Sequence, residues 1–163
     1  MQYTVFDIET DGLLDTVSKI HVLSYRTFIN GEEIDKGSIT SYTQMKDFIL
    51  STKVLVGHNI VRFDIPVLEK ILGIKVSAKL IDTLALSWYL YPIRMKHGLE
   101  SWGNDLGVEK PYIADWNNQS IEDYKFRCES DVEINTLLFA KQFAYLNILY
   151  DADEGKINNL IDY

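Results

Sequence analysis

MQYTVFDIETDGLL, residues 1–14, decides how the rest of the chain is read. Tyr3, Val5 and Ile8 are apolar, and residues 2–8 read as a short buried strand. Asp7-Ile8-Glu9 stands at its C-terminal end. Side chains two apart on a strand share a face, so Asp7 and Glu9 project side by side at the edge of an apolar sheet. Adjacent anions repel, and a proton, a basic partner or a divalent cation must neutralise them; hard oxygen donors suit Mg²⁺ or Mn²⁺. Thr10-Asp11-Gly12 then turns the chain. The plainer reading is that the two acids open a solvated turn.

The 163 residues suffice for one domain, residues 1–163, with a real core. A hydrophobic share of 47% and a charged share of 25% are ordinary for a globular protein. No run approaches a membrane span, and no basic segment leads into an apolar one, so neither a membrane nor a secretion signal is expected. The single cysteine, Cys128, leaves no internal disulfide and suits a reducing cytoplasm. A net charge of −8 argues against a non-specific DNA coater. It leaves room for a nuclease whose acids are gathered as metal ligands.

Outward from the first strand, residues 20–29 alternate apolar and polar, and Asn30-Gly31 is a hairpin signal returning the chain through 33–41. Residues 42–51 space Met45, Phe48 and Ile49 for a short helix with Thr43 as its expected N-cap. KVLVG, 53–57, is a continuous apolar run of the kind buried on both faces. Residues 61–72 carry a helical pattern closed by Gly73. A short strand over 80–82, helices over 83–90 and 99–106, and a loop over 111–120 follow. The longest helical pattern is 121–150; 156–163 is a half-formed apolar pattern. Strands first, then alternation, then helices predict an α/β fold: a mixed five-stranded sheet covered by helices.

Asp64 opens the helix after the 53–57 strand, and ligands of open α/β sheets bind outside the strand ends. Asp131 lies in the long helix beside Val132 and Ile134, and a carboxylate next to a core stripe is either costly or partnered. Asp7, Glu9, Asp64 and Asp131 thus offer acidic ligands from separate elements. Two divalent ions bridged by such carboxylates perform in-line phosphoryl displacement. Unrelated surface acids are the competing reading.

These residues also carry a resemblance. Phe6-Asp7-Ile8-Glu9-Thr10 resembles the first motif of the DEDD (DnaQ-like) 3′-5′ exonucleases. Asn59-Ile60-Val61-Arg62-Phe63-Asp64 resembles their second, and Cys128-Glu129-Ser130-Asp131-Val132 the end of their third. The nearer likeness is to the proofreading domain of bacteriophage family A DNA polymerases. It rests on Leu13-Leu14, Val17-Ser18-Lys19-Ile20-His21, Ile81-Asp82-Thr83-Leu84 and His97-Gly98-Leu99-Glu100-Ser101-Trp102-Gly103. It spans about residues 3–140, and the order and spacing of the motifs together are specific. The resemblance implies an RNase H-like fold and two Mg²⁺ or Mn²⁺ ions held by Asp7, Glu9, Asp64 and Asp131. It implies removal of nucleotides from a single-stranded or frayed DNA 3′ end in the host cytoplasm, with a polymerase domain following in relatives. An RNA exonuclease of the same fold, or a weakened nucleic-acid or protein binder, is the alternative.

One departure stands out. The family places a Tyr four residues before the last Asp, or a His five before it; here those positions hold Arg127 and Phe126. Tyr124, one turn further back, is about 5 Å too distant along the axis to substitute. Arg127 is expected to pair with Asp131 or to hold the scissile phosphate, against a solvated arginine as the plain alternative. Thr10, Leu13, Asn59 and Phe63 are the candidate nucleic-acid contacts. Leu13 would be a wedge against the terminal base or a core residue. Phe63 would stack on a base or pack inside. Asn59 would bond a sugar hydroxyl or cap a helix. His58, His97 and the buried Cys128 thiol are assigned structural roles, Asp82 a helix N-terminus, and the tryptophans no site.

Overall fold

A computed structural model describes residues 1–150, so the 156–163 pattern lies outside the described residues. The elements run β1 (Gln2–Thr10), β2 (Ile20–Ile29), β3 (Glu32–Ile39), α1 (Tyr42–Ser51), β4 (Val54–Gly57), α2 (Asp64–Leu72), β5 (Lys79–Asp82), α3 (Thr83–Leu90), α4 (Leu99–Leu106) and α5 (Ile121–Tyr150). The strands form one mixed sheet in the order β3-β2-β1-β4-β5. The first three strands pair antiparallel, and β4 and β5 add parallel to β1. The expected five-stranded α/β architecture is the observed one.

Alternation along β1 sets the site. Phe6 and Ile8 join a core cluster with Met45 of α1 and Ile65 and Leu68 of α2. Val5 points the other way, into a cluster with Val132 and Phe139 of α5. Asp7 and Glu9 share the parity of Val5 and therefore meet α5, which packs across β1, β2 and β4. The outer strand β3 carries exposed Glu32, Glu33, Asp35 and Lys36, which suits an edge that must not recruit another strand. Asn30 (φ 50°) and Gly31 (φ 85°) both take positive φ, as the expected tight hairpin requires.

Several boundaries differ from expectation. β1 runs on to Thr10 through a bulge between Glu9 and Thr10, a device that re-aims side chains at a strand end. Ser41, not Thr43, caps α1, accepting from Gln44 N at 3.4 Å. Helix α2 begins at Asp64 rather than 61. A start at 61 would put Pro66 beyond the first turn, without its N–H and against the carbonyl of Arg62. From Asp64, Pro66 falls in the first turn, where its N–H has no partner to lose. No helix among the described residues is long and apolar enough to cross a membrane.

Candidate metal centre

Asp7 and Glu9 end β1, and Asp131 comes from α5, one helical step before Val132 seats that helix on the sheet. One carboxylate oxygen from each of Asp7, Glu9 and Asp131 lies within 4.8 Å of the other two. Asp64 stands just outside this set, at the first residue of α2, and is buried. Its carboxylate accepts the backbone N–H of Ile8, while Oδ2 is buried with no partner. The chain thus brings together the acids expected to meet, three tightly and the fourth beside them.

Burial dominates the electrostatics of all four. It lifts Asp7 well above the usual carboxylate range, and the charges of Asp131, Asp64 and Glu9 push in the same direction. Burial raises Glu9 to about 7, against the lowering pull of Arg127. Asp64 is raised to about 8, by burial first and then by Asp82 and Glu9. Asp131 is raised by burial and lowered by Lys110. Half-buried and buried carboxylates that repel one another are neutralised either by protons or by cations. The donors are hard oxygens, with an orphaned Oδ2 on Asp64, so Asp7, Glu9, Asp64 and Asp131 fit Mg²⁺ or Mn²⁺.

Two cations of the chain itself reach the cluster. Arg127 Nε lies 3.3 Å from Glu9 Oε1, so its ion-pair partner is Glu9 rather than Asp131. The guanidinium is one turn from Asp131 along the helix, but the cross-sheet acid on β1 is the nearer. Its other neighbour is Trp116, whose ring centroid is 4.2 Å away, so that tryptophan does border the site. Lys110 Nζ lies 2.9 Å from Asp131 Oδ1. Neither Lys110 nor Trp116 carried a signal in the sequence. Both sit in the irregular segment between α4 and α5, whose path no periodicity encodes.

The other expected contacts divide. Leu13 is 77% exposed, not core. It is held out by a turn in which Asp11 accepts the backbone N–H groups of Ser18 and Lys19, each at 2.9 Å. Thr10 spends its hydroxyl proton on the Gly12 carbonyl. Phe63 packs partly against the core under β1. Asn59 does not cap α2; it takes φ 63° and donates its N–H to Asp82 Oδ1 at 2.8 Å. Asp82 also caps α3 through Leu84 N, the role expected for it. Tyr124 stacks on His21, with ring centroids 4.0 Å apart.

His58 bridges Thr83 Oγ1 and the His97 carbonyl, each at 2.9 Å, and burial depresses it to about 4. In His97, Nε2 donates to the Arg94 carbonyl, so Nδ1 accepts from Ser87. Both rings are structural, as expected. Cys128 is fully buried, with Sγ 3.2 Å from the Asp7 carbonyl oxygen and 3.5 Å from Asp7 Oδ2.

No family profile matches the chain. Among curated proteins it is similar to the PolC-type DNA polymerase III of Mycoplasma genitalium, with 27% identity over 83% of this chain. The chain spans only about 12% of that polymerase's length. Among solved structures it superposes on E. coli Exonuclease I in complex with a dT13 oligonucleotide, with a TM-score of 0.66 and 13% identity. That match covers 92% of this chain and 42% of the other. It also superposes on Brucella melitensis NrnC with bound Mg²⁺, with a TM-score of 0.64 and 20% identity, covering 89% of this chain and 73% of that one. The chain therefore shares the fold of these two structures, a mixed five-stranded sheet of the RNase H-like kind.

Proposed function

We propose that this chain is a divalent-metal-dependent 3′-5′ exonuclease of the DEDD type, removing nucleotides from a single-stranded or frayed DNA 3′ end. The observation that carries the reading is the convergence of Asp7, Glu9 and Asp131 within 4.8 Å beside the buried, unpartnered Asp64, on an exonuclease fold. The similarity to a PolC-type polymerase supports a proofreading setting, with a polymerase domain or subunit as partner. The likeness to bacteriophage family A proofreading domains supports the same setting.

When bound, two Mg²⁺ or Mn²⁺ ions would supply Lewis-acid charge and water activation. The chain's part is to hold and orient. Asp7, Glu9, Asp64 and Asp131 would hold the ions as carboxylates, their protons passing to solvent on binding. Arg127, fixed between Trp116 and Glu9, sets the Glu9 carboxylate and places positive charge where a phosphate would come. Leu13, exposed at the turn after β1, is the wedge against the terminal base. Thr10, Asn59 and Phe63 line the same strand ends.

Because Arg127 stands where relatives place Tyr or His, a binder with weakened chemistry is the second reading. Single-stranded DNA labelled at its 3′ end, incubated with Mn²⁺ and then with EDTA, decides between them. Mononucleotide release that stops with EDTA supports the exonuclease. Retention without release selects the binder. Faster release from a matched RNA strand would overturn the DNA preference.

A further inference from the structure

The segment joining α4 to α5 lies across the acidic centre like a strap. It is fixed at both ends. Val108 N–H donates to the Gly103 carbonyl at 2.8 Å, and a Cβ on Gly103 would stand 2.5 Å from the Val108 carbonyl oxygen. At the other end Ser120 and Asp123 exchange hydrogen bonds, Ser120 N to Asp123 Oδ2 at 2.9 Å and Asp123 N to Ser120 Oγ at 3.2 Å. Between these anchors the strap reaches the centre with Lys110 on Asp131 and Trp116 on Arg127.

The Lys110 contact differs from an ordinary surface pair. Its side chain is 22% exposed and that of Asp131 8%. The ammonium lowers the proton affinity of Asp7 and Glu9 as well as that of Asp131. One ammonium therefore stands on Asp131, whose carboxylate lies within 4.8 Å of Asp7 and Glu9, beside the position a cation shared by the three would take. Lys110 Nζ sits 2.9 Å from Asp131 Oδ1, yet that oxygen makes no well-aligned hydrogen bond. The contact is chiefly charge on charge and can be exchanged for a stronger charge. Lysine suits this use: a compact point charge on a flexible four-carbon stem.

We propose that Lys110 is a tethered cation that holds the Asp7–Glu9–Asp131 cluster until a divalent ion displaces it, so that metal loading and withdrawal of Lys110 from Asp131 are one event. The inference rests on the reading of the cluster as a metal centre and adds a competitor to it. Mn²⁺ affinity, measured by calorimetry on the full chain at pH 8, tests it without reference to turnover. Lys110→Met removes the competitor and should tighten Mn²⁺ binding roughly ten-fold, while Lys110→Arg keeps the charge and should stay near wild type. Should the Met variant fail to fold, Lys110→Gln makes the same comparison.

In the wild-type chain, labelling of Lys110 by an amine-reactive ester should rise several-fold on adding Mg²⁺, as the ammonium leaves its carboxylate. Unchanged or weaker Mn²⁺ binding without the lysine charge, or labelling indifferent to Mg²⁺, overturns the proposal and leaves the metal centre standing. A chain that binds no divalent ion with or without Lys110 overturns the metal centre itself.

Discussion

At the scale of single residues, the charges at the centre are set by neighbours from distant parts of the chain. Arg127 holds down the proton affinity of Glu9, which burial has raised to about 7. Replacing Arg127 by Ala should push Glu9 higher still. Divalent-ion binding at neutral pH should then weaken and recover toward pH 9, which a Mn²⁺ titration against pH would show; a pH-independent loss would contradict this role. Leu13 makes the opposite case. Being 77% exposed, it contributes little to the core, so Leu13→Ala should change stability by less than about 0.5 kcal/mol. The same change should slow release of the terminal nucleotide, read from the rate on a 3′-labelled strand. The acids were legible because strand parity pairs Asp7 with Glu9 and because Asp131 interrupts an apolar helix face. The partner of Arg127, and Lys110 altogether, were not legible. Ion pairs between elements far apart in sequence depend on where loops run, and loops carry no period.

At the scale of elements, the passage from β4 to α2 places Asp64. Gly57 ends the strand packed so closely that a Cβ would stand 2.2 Å from Ile60 Cγ2 and 3.2 Å from the Phe6 carbonyl oxygen. Ile60 is fully buried and cannot give way. Asn59 then takes its left-handed turn, tied to Asp82, and Pro66 fixes where the helix begins. Gly57→Ala should cost about 1–3 kcal/mol through overpacking. For a domain of this size that is a fall of roughly 3–10 °C in thermal midpoint, with weakened metal binding as Asp64 shifts. An unchanged midpoint would contradict this packing. Most elements were legible from periodicity and turn residues. The start of α2 was not, because its apolar pattern extends upstream of the point where proline permits a helix. The bulge at Glu9 was not either, since pairing register depends on the partner strand β2.

At the scale of the whole molecule, the fold uses stability to hold acids together. Glu9 moves from its ordinary 4.5 to about 7, and Asp64 from 3.8 to about 8. Both bind protons more tightly folded than unfolded. Their contribution is therefore complete below their ordinary values and lost as pH rises through the folded values. Without divalent ions the thermal midpoint should fall between about pH 4 and pH 8. The wider the gap between folded and unfolded proton affinity, the steeper that fall. With saturating Mg²⁺ the trend should reverse, because the ion takes the place of the protons. A midpoint that rises with pH in the absence of metal would contradict the burial of these acids. The sheet order that allows this arrangement was not readable, since β4 and β5 are four-residue strands whose neighbours only the folded chain reveals. The most direct measurement is anomalous diffraction from crystals soaked at pH 8 in Mn²⁺ and a nucleoside 5′-monophosphate. A metal-dependent nuclease centre predicts manganese bound between Asp7, Glu9, Asp64 and Asp131, with the phosphate against it; a centre without manganese, or manganese bound elsewhere with Asp131 still paired to Lys110, would contradict it.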